Sequence, residues 1–197
     1  MCRPVVVVIG KTEAGKDTLA RMMKFQDDSY RILKCSEEMK RRVSFEHGIE
    51  RDLLEHRAVK DSQAGLSPGK TYLDVMVDAF HEYGHKPKHF LLSQIQETLI
   101  YGLIPVITDI RHPNEIALLQ DAGCYIILIR VLSQRAVAKS SDEHIRSIWY
   151  KGVGCGYPHM TVWNNDGLES LLWHSELAHR YIQNMMRNCH ETANNSK

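Results

Sequence analysis

Near its amino terminus the chain reads Val5-Val6-Val7-Val8-Ile9-Gly10-Lys11-Thr12-Glu13-Ala14-Gly15-Lys16-Asp17-Thr18. The apolar, β-branched part predicts a strand that is buried on both faces. The part that follows fits Gly-x4-Gly-Lys, a loop whose backbone N–H groups surround phosphates. Glycines permit this close approach, and the helix predicted to follow directs its positive end at the same anion. The stretch therefore predicts a phosphate-binding loop between a central strand and a helix.

The residue types in this loop indicate binding of a nucleoside triphosphate. Lys16 can reach the β- and γ-phosphates as a point charge, and the hydroxyl of Thr18 can hold magnesium. We expect nucleotide contacts from the loop and the helix start, at Gly10, Glu13, Ala14, Gly15, Lys16, Asp17 and Thr18.

Asp17 occupies the position where most loops of this type have Ser or Thr. A carboxylate there suits the helix dipole, but it lies where anionic phosphates arrive. Asp17 is therefore a candidate metal contact or general base. The alternative is a helix-start carboxylate without a chemical role.

The length and composition predict one soluble domain. The chain has 197 residues, 43% of them hydrophobic and 25% charged, and a net charge of +1, so no strong attraction to nucleic acid or to a membrane is expected. No apolar stretch is long enough to span a bilayer. Five scattered cysteines without a Cys-x-x-Cys pair, together with the lack of a leader segment, predict reduced thiols and a cytoplasmic location.

Strand and helix patterns alternate along the chain, which predicts a five-stranded parallel sheet covered by helices on both faces. The expected strands are Pro4–Gly10, Tyr30–Cys35, Leu103–Asp109, Cys124–Arg130 and His159–Trp163. The expected helices are Gly15–Gln26, Ser36–His47, Thr71–Tyr83, Lys88–Tyr101, Asn114–Ala122, Gln134–Tyr150 and Leu168–Arg187. The segment Asp61–Lys70 is expected to be a surface loop because it contains Gly65, Pro68 and Gly69.

Ligands of open parallel sheets bind beyond the carboxyl ends of the strands. Asp109 closes the third strand, where an acidic residue can hold magnesium, and Arg111 is expected to point the same way and to clamp an anion. Alternatively, Asp109 caps the turn before Pro113, and Arg111 pairs with a surface carboxylate.

Two further strand ends contain polar residues. Arg130 is predicted to end the fourth strand, and Arg135 follows at a helix start. The turn Asn164-Asn165-Asp166-Gly167 follows the fifth strand, where a nucleotide base could lie, although Asn-Asp-Gly is also typical of a plain turn. Alternatively, these arginines pair with surface carboxylates.

Several of these motifs, in order along nearly the whole chain, resemble phage-type deoxynucleoside monophosphate kinases. The matching residues are Gly15-Lys16-Asp17-Thr18, Thr108-Asp109-Ile110-Arg111 with Asn114-Glu115 behind it, and Asn165-Asp166-Gly167. The same outline is similar to the phage kinases that phosphorylate 5-hydroxymethyluracil in DNA. It is more distantly similar to animal phosphomevalonate kinase, whose Ser…Lys pair and acidic-His-Gly step correspond to Ser36, Lys40 and Glu46-His47-Gly48.

The resemblance implies a nucleoside-monophosphate-kinase-like, three-layer fold that uses ATP and magnesium. It implies one kinase domain over 1–197, with an acceptor-binding region at about 36–102 and a lid at about 131–156. The lid ends in a glycine-rich segment, 151–156, that is expected to be flexible.

The roles of individual residues follow from the same resemblance. Catalytic residues would be Lys16, Asp17, Asp109, Arg111 and Arg130, and metal ligands Asp17, Thr18 and Asp109. Ser36, Lys40 and Arg111 would bind the acceptor, Arg135 would contact the nucleotide beside a lid near Ser140–His144, and Asn165 would lie near the adenine.

The identity of the phosphoryl acceptor stays open at this point. A free deoxynucleoside monophosphate is the first expectation, and a hydroxymethylated base in DNA is a close second. The DNA alternative would use Lys40-Arg41-Arg42, with Arg51 and Arg57, as a phosphate track, although this basic run also fits a solvated helix face. Phosphomevalonate is third, and a nucleotide-binding module without transfer activity is the alternative from another class.

No membrane partner is expected, a homodimer is left open, and the location would be the host cytoplasm if a phage encodes the chain.

Overall fold

A computed structural model describes residues 3–83, 86–136 and 144–195. The strands are β1 (Pro4–Ile9), β2 (Tyr30–Leu33), β3 (Ile104–Ile107), β4 (Tyr125–Leu132) and β5 (His159–Trp163). The helices are α1 (Lys16–Gln26), α2 (Glu37–His47), α3 (Arg57–Lys60), α4 (Tyr72–Tyr83), α5 (Lys86–Ile100), α6 (Pro113–Asp121), α7 (Ile145–Gly154) and α8 (Leu168–Asn195). A 3₁₀ helix covers Arg51–Glu55.

The strands form one parallel sheet in the order β2-β3-β1-β4-β5. β1 is central, and its Val7 lies opposite Ile107 of β3 and Leu128 of β4. Every residue of β1 is buried, as its run of valines predicts for a strand covered on both faces. The predicted fold class, an α/β protein with a five-stranded parallel sheet, is confirmed.

Helices lie on both faces of this sheet because alternate side chains of each strand point to opposite sides. On one face, Val6 and Val8 of β1 belong to the same buried core as Leu19 of α1 and Ala178 of α8. On the other face, α7 packs so closely on β4 that a Cβ at Gly152 would lie 2.7 Å from Cδ2 of Leu128. A glycine at this point of α7 is thus explained by helix-to-sheet packing.

The glycine-rich segment 151–156 was predicted to be flexible, and this prediction is wrong for its first part. Residues 151–154 form the last turn of α7, and Gly152 is buried. The predicted helix Gln134–Tyr150 is also corrected, since α7 begins at Ile145 and Gln134 lies in a turn after β4. Ser140 and the rest of 137–143 lie outside the described residues.

β2 and β3 end two residues earlier than predicted, at Leu33 and Ile107, and the ends of β4 and α8 also differ from the prediction. β4 continues to Leu132, because pairing with β5 extends to Leu132 opposite Trp163. Arg130 therefore lies inside the strand rather than at its end. α8 extends to Asn195, well past the predicted end at Arg187, and its first half packs against α1.

The chain divides into two compact units, Met1–Lys34 with Leu92–Lys197 and Cys35–Leu91. The first unit contains the whole sheet. The second contains α2, the 3₁₀ helix, α3 and α4, and its core includes Val43, Leu54 and Met76. The 3₁₀ helix and the four-residue α3 were not predicted.

The prediction for the cysteines is wrong at one position. Cys35, Cys124 and Cys155 are not disulfide-bonded, whereas Cys189 of α8 is, so the prediction of reduced thiols throughout is wrong there. Sequence separation does not reveal which cysteines approach each other in space. Within the described ranges, no helix has the length and apolar character needed to cross a bilayer.

Candidate phosphate-binding site

The loop between β1 and α1 packs so tightly that two of its positions accommodate only glycine without a shift. A Cβ at Gly10 would lie 2.4 Å from the backbone oxygen of Val131 in β4. Gly15 is the N-cap of α1 and has a φ of 99°, and a Cβ there would lie 2.5 Å from Nδ2 of Asn164. These contacts explain structurally why the loop carries glycine at both ends.

Lys16 folds back over this loop. Its Nζ donates a hydrogen bond of 2.8 Å to the backbone oxygen of Lys11, which also accepts the N–H of Ala14 at 3.2 Å. Lys16 is only 9% exposed, so its charge is held at the loop rather than extended into solvent. The loop therefore combines a fixed ammonium with the start of α1, where first-turn N–H groups lack acceptors within the helix and carry the positive end of its dipole.

The turn after β5 also holds the loop in place. The Asn164 side chain donates to the backbone oxygen of Ala14 at 2.9 Å, and its backbone N–H donates to Leu132 at 2.8 Å. Asn165, predicted to lie near adenine, accepts a hydrogen bond of 3.0 Å from the backbone N–H of Gln134. Asn164 was predicted only as part of this turn, and its contact with the loop was not predicted.

Asp17 meets residues from two neighbouring strand ends. The Thr108 hydroxyl, which follows β3, donates to Oδ1 of Asp17 at 2.7 Å. The Nζ of Lys34, which follows β2, lies 3.7 Å from the same oxygen. The structure thus connects the helix start to the third-strand motif, whereas Thr108 and Lys34 were not among the predicted site residues.

The segment after β3 alternates between buried and accessible positions. Thr108 and Ile110 are each 1% exposed, while Asp109 and Arg111 are half-buried. The alternation agrees with the expectation that Asp109 and Arg111 point the same way. Their proposed contacts with a ligand stay predictions.

Glu115 fixes this segment from α6. Its Oε2 accepts the backbone N–H groups of Arg111 and His112, both at 2.8 Å, and His112 caps α6 reciprocally in a capping box. Burial raises the pKa of the Glu115 carboxyl, the two N–H groups lower it in part, and the charge of Asp109 raises it further. The sequence signal was present in His112-Pro113-Asn114-Glu115, because Pro at the first helical position followed by Glu is typical of a helix start.

We expect two replacements of Glu115 to distinguish how its hydrogen bonds and its charge each contribute to the free energy of unfolding. Between its ordinary pKa of 4.5 and the raised folded pKa, the folded protein keeps the Glu115 proton that the unfolded chain has lost. The free energy of unfolding therefore falls as pH rises through this window. Glu115→Gln keeps an oxygen acceptor and removes this fall, so its stability relative to the wild type should increase with pH.

Chemical denaturation from about pH 4 to about pH 8 measures this difference. Glu115→Ala is the matched variant, and it should lose about 2 kcal/mol because two N–H groups lose a shared acceptor. If the free energy of unfolding depended on pH in the same way in the wild type and in Glu115→Gln, the raised pKa of Glu115 would be refuted.

Arg130 and Arg135 occupy different environments. The Arg130 guanidinium carbon lies 5.4 Å from the ring centroid of Trp149 in α7, and its buried Nε has no hydrogen-bond partner among the described residues. A cation over an indole face is a stabilising arrangement. Arg135 is exposed in the turn after β4, and its backbone N–H donates to the Ser133 hydroxyl at 3.2 Å. A catalytic role for Arg130 and a nucleotide contact for Arg135 stay predictions.

Ser36 and Lys40, the predicted acceptor ligands after β2, belong to the Cys35–Leu91 unit. Ser36 is the N-cap of α2. Lys40 is 3% exposed, and its Nζ donates to Glu55 at 2.9 Å. The binding roles of both stay predictions.

Among the described residues, the other basic side chains of the predicted phosphate track are also paired. Arg41 bonds to Glu38 at 2.9 Å, and Arg42 bonds to Glu46 at 2.6 Å. Arg51 contacts three carboxylates, Glu37, Asp52 and Glu55. The predicted phosphate track is therefore largely neutralised within its own unit, while the side chain of Arg57 lies outside the described residues.

The oxygen donors near the loop suit magnesium in type. Magnesium is usually held by one or two protein oxygens together with substrate phosphates and water, and the predicted ligands, the Thr18 hydroxyl and the Asp17 and Asp109 carboxylates, are such donors. Their metal role stays a prediction. Over residues 3–83, 86–136 and 144–195, no group of three or more His, Cys, Asp and Glu residues could hold a metal ion.

Comparisons with known proteins leave the family open. No protein-family model and no curated protein sequence matches the chain. Among solved structures, it is similar to a presumed kinase from Chloroflexus aurantiacus J-10-fl, at 11% identity and a TM-score of 0.48 over 95% of this chain and 98% of that one. It is also similar to TT1252 from Thermus thermophilus, at 13% identity and a TM-score of 0.43 over 90% of this chain and 96% of that one. Because the sequence identity and the TM-score are low for both structures, the function is inferred from the residues of the chain itself.

Proposed function

We propose that this protein is a P-loop kinase that transfers the γ-phosphoryl group of ATP to the phosphate of a deoxynucleoside monophosphate. The observation that supports this most strongly is the Lys16 ammonium, held over a glycine-bounded loop at the start of α1. A loop of this kind after a buried parallel strand is suited to a polyphosphate.

On the donor side, the loop would bind the triphosphate and Lys16 would neutralise the β- and γ-phosphates. Its hydrogen bond to Lys11 keeps the ammonium at the loop, where it can exchange this carbonyl for phosphate oxygens when the phosphates arrive. Magnesium, held by Thr18 and Asp109, would supply further neutralisation of the transferring group.

On the acceptor side, Arg111 would hold the acceptor as a bidentate anion clamp. An oxygen of the acceptor phosphate would form a bond to the γ-phosphorus, and the bond from that phosphorus to the β–γ bridging oxygen would break to release ADP. An ionised phosphate has no proton to lose at the attacking oxygen, so this acceptor requires alignment and positive charge rather than a base. The Glu115 bonds to the Arg111 and His112 backbone keep the segment that carries this arginine in place.

The alternative acceptor in DNA gains no specific support. A DNA strand would need uncompensated positive charge along its path. The ion pairs of Lys40, Arg41 and Arg42 reduce that charge. Phosphomevalonate and a binding module without transfer activity remain outcomes of the test below.

Transfer of labelled γ-phosphoryl tests the proposal. The wild type is incubated with each deoxynucleoside monophosphate, with hydroxymethyluracil-containing DNA, with phosphomevalonate, and with no acceptor. We expect a labelled nucleoside diphosphate with at least one monophosphate, and loss of that product in Lys16→Ala. Label in DNA or in phosphomevalonate would replace the proposed acceptor, and no labelled product with any acceptor would favour a binding module.

A further inference from the structure

Lys34 lies where three neighbouring strands bring their carboxyl ends together. Leu33 of β2 is opposite Ile107 of β3, so Lys34 and Thr108 are the next residues at that edge of the sheet. Both reach Asp17 at the start of α1, Thr108 by a hydrogen bond of 2.7 Å and Lys34 by an ion pair of 3.7 Å. Both contacts use Oδ1 of the carboxylate.

Asp17 creates an electrostatic problem that most loops of this type do not have. It follows Lys16 directly, so its negative charge lies close to any phosphates that the loop binds. Like charges at this range repel, and at low ionic strength salt screens the repulsion only in part. The Lys34 and Asp17 side chains are 21% and 51% exposed, respectively.

We propose that Lys34 is the counter-charge that allows a carboxylate to occupy this position of the loop. Its ammonium offsets the charge of Asp17, and Thr108 holds the carboxylate toward Lys34. The net field that reaches the phosphates is then close to that of a loop with a neutral residue after its lysine. This inference depends on the proposed function, because it requires a polyphosphate in the loop.

The proposal predicts that replacing Lys34 and replacing Asp17 change the affinity for ATP in opposite directions. Binding of a non-hydrolysable ATP analogue is measured by calorimetric titration at low ionic strength without magnesium, so that Asp17 cannot act as a metal ligand. Lys34→Met should weaken binding about fivefold, and Asp17→Asn should strengthen it about threefold, since each removes a single charge near the phosphates. The double variant should return to within about twofold of the wild type, and both single effects should shrink with added salt.

Lys24→Met is the matched control. Lys24 is exposed in the last turn of α1, about 12 Å along the helix from Lys16, and its replacement changes the net charge by the same amount. It should leave the affinity unchanged, and thermal unfolding of all variants shows that each is folded. A merely structural role of the pair would change thermal stability without giving affinity shifts of opposite sign.

The outcomes separate this inference from the proposed function. Binding by the wild type with no loss in Lys34→Met, or weaker binding in Asp17→Asn, would overturn the counter-charge assignment alone. A wild type that does not bind the analogue would overturn the proposed function, and this inference with it.

Discussion

Lys16→Ala should lower the turnover of γ-phosphoryl transfer by about a hundredfold or more, the usual loss when a preorganised charge is removed from a transition state. The charge that accumulates on the transferring group is neutralised chiefly by cations, because phosphoryl transfer requires little covalent chemistry from the protein. Lys16 is suited to this task because its Nζ is already held over the loop by the Lys11 carbonyl. Steady-state kinetics with saturating ATP measure the loss.

Lys24→Ala is the control for removal of a lysine from the same helix, and its turnover should equal that of the wild type. Thermal unfolding of both variants separates loss of activity from loss of fold. A folded Lys16→Ala protein with turnover close to the wild-type value would remove Lys16 from the mechanism.

Gly10→Ala should both destabilise the protein and impair phosphoryl transfer. The added Cβ would lie 2.4 Å from the backbone oxygen of Val131, and neither the loop nor β4 can yield by moving a flexible side chain. Overpacking of this kind costs about 3 kcal/mol or more when backbone must shift. Because a loop displaced by about 1 Å misaligns the phosphates, turnover should also fall about a hundredfold. Chemical denaturation and steady-state kinetics measure the two effects.

Gly154→Ala is the matched control for Gly10→Ala. Gly154 is exposed at the end of α7, and a Cβ there would meet nothing within 4 Å. Its stability and turnover should stay close to those of the wild type. Equal stability of the Gly10→Ala and Gly154→Ala proteins would contradict the close contact between the loop and β4.

The sequence predicts the local parts of this molecule well. A run of valines, a glycine-bounded loop and a helix start are contiguous, so β1, the loop and α1 follow from neighbouring residues. The alternation of Thr108, Asp109, Ile110 and Arg111 is also local, and it agrees with the burial of these side chains. Helix start signals around Pro113 place α6 to within a residue.

The missed features depend on contacts between distant residues. Asn164 supports Ala14 across 150 positions, and Lys34 meets Asp17 only because β2 and β3 are neighbours in the sheet. Arg130 lies inside β4 because pairing with β5 extends the strand. No local pattern records such pairings, which follow from sheet order and register.

A crystal structure of the protein with a non-hydrolysable ATP analogue tests the central claim most directly. We expect the Lys16 Nζ to exchange the Lys11 carbonyl for oxygens of the β- and γ-phosphates, with backbone N–H groups between Gly10 and Thr18 around the same phosphates. An analogue bound elsewhere, or a loop that still holds Lys16 on Lys11 with no phosphate beside it, would contradict the assignment.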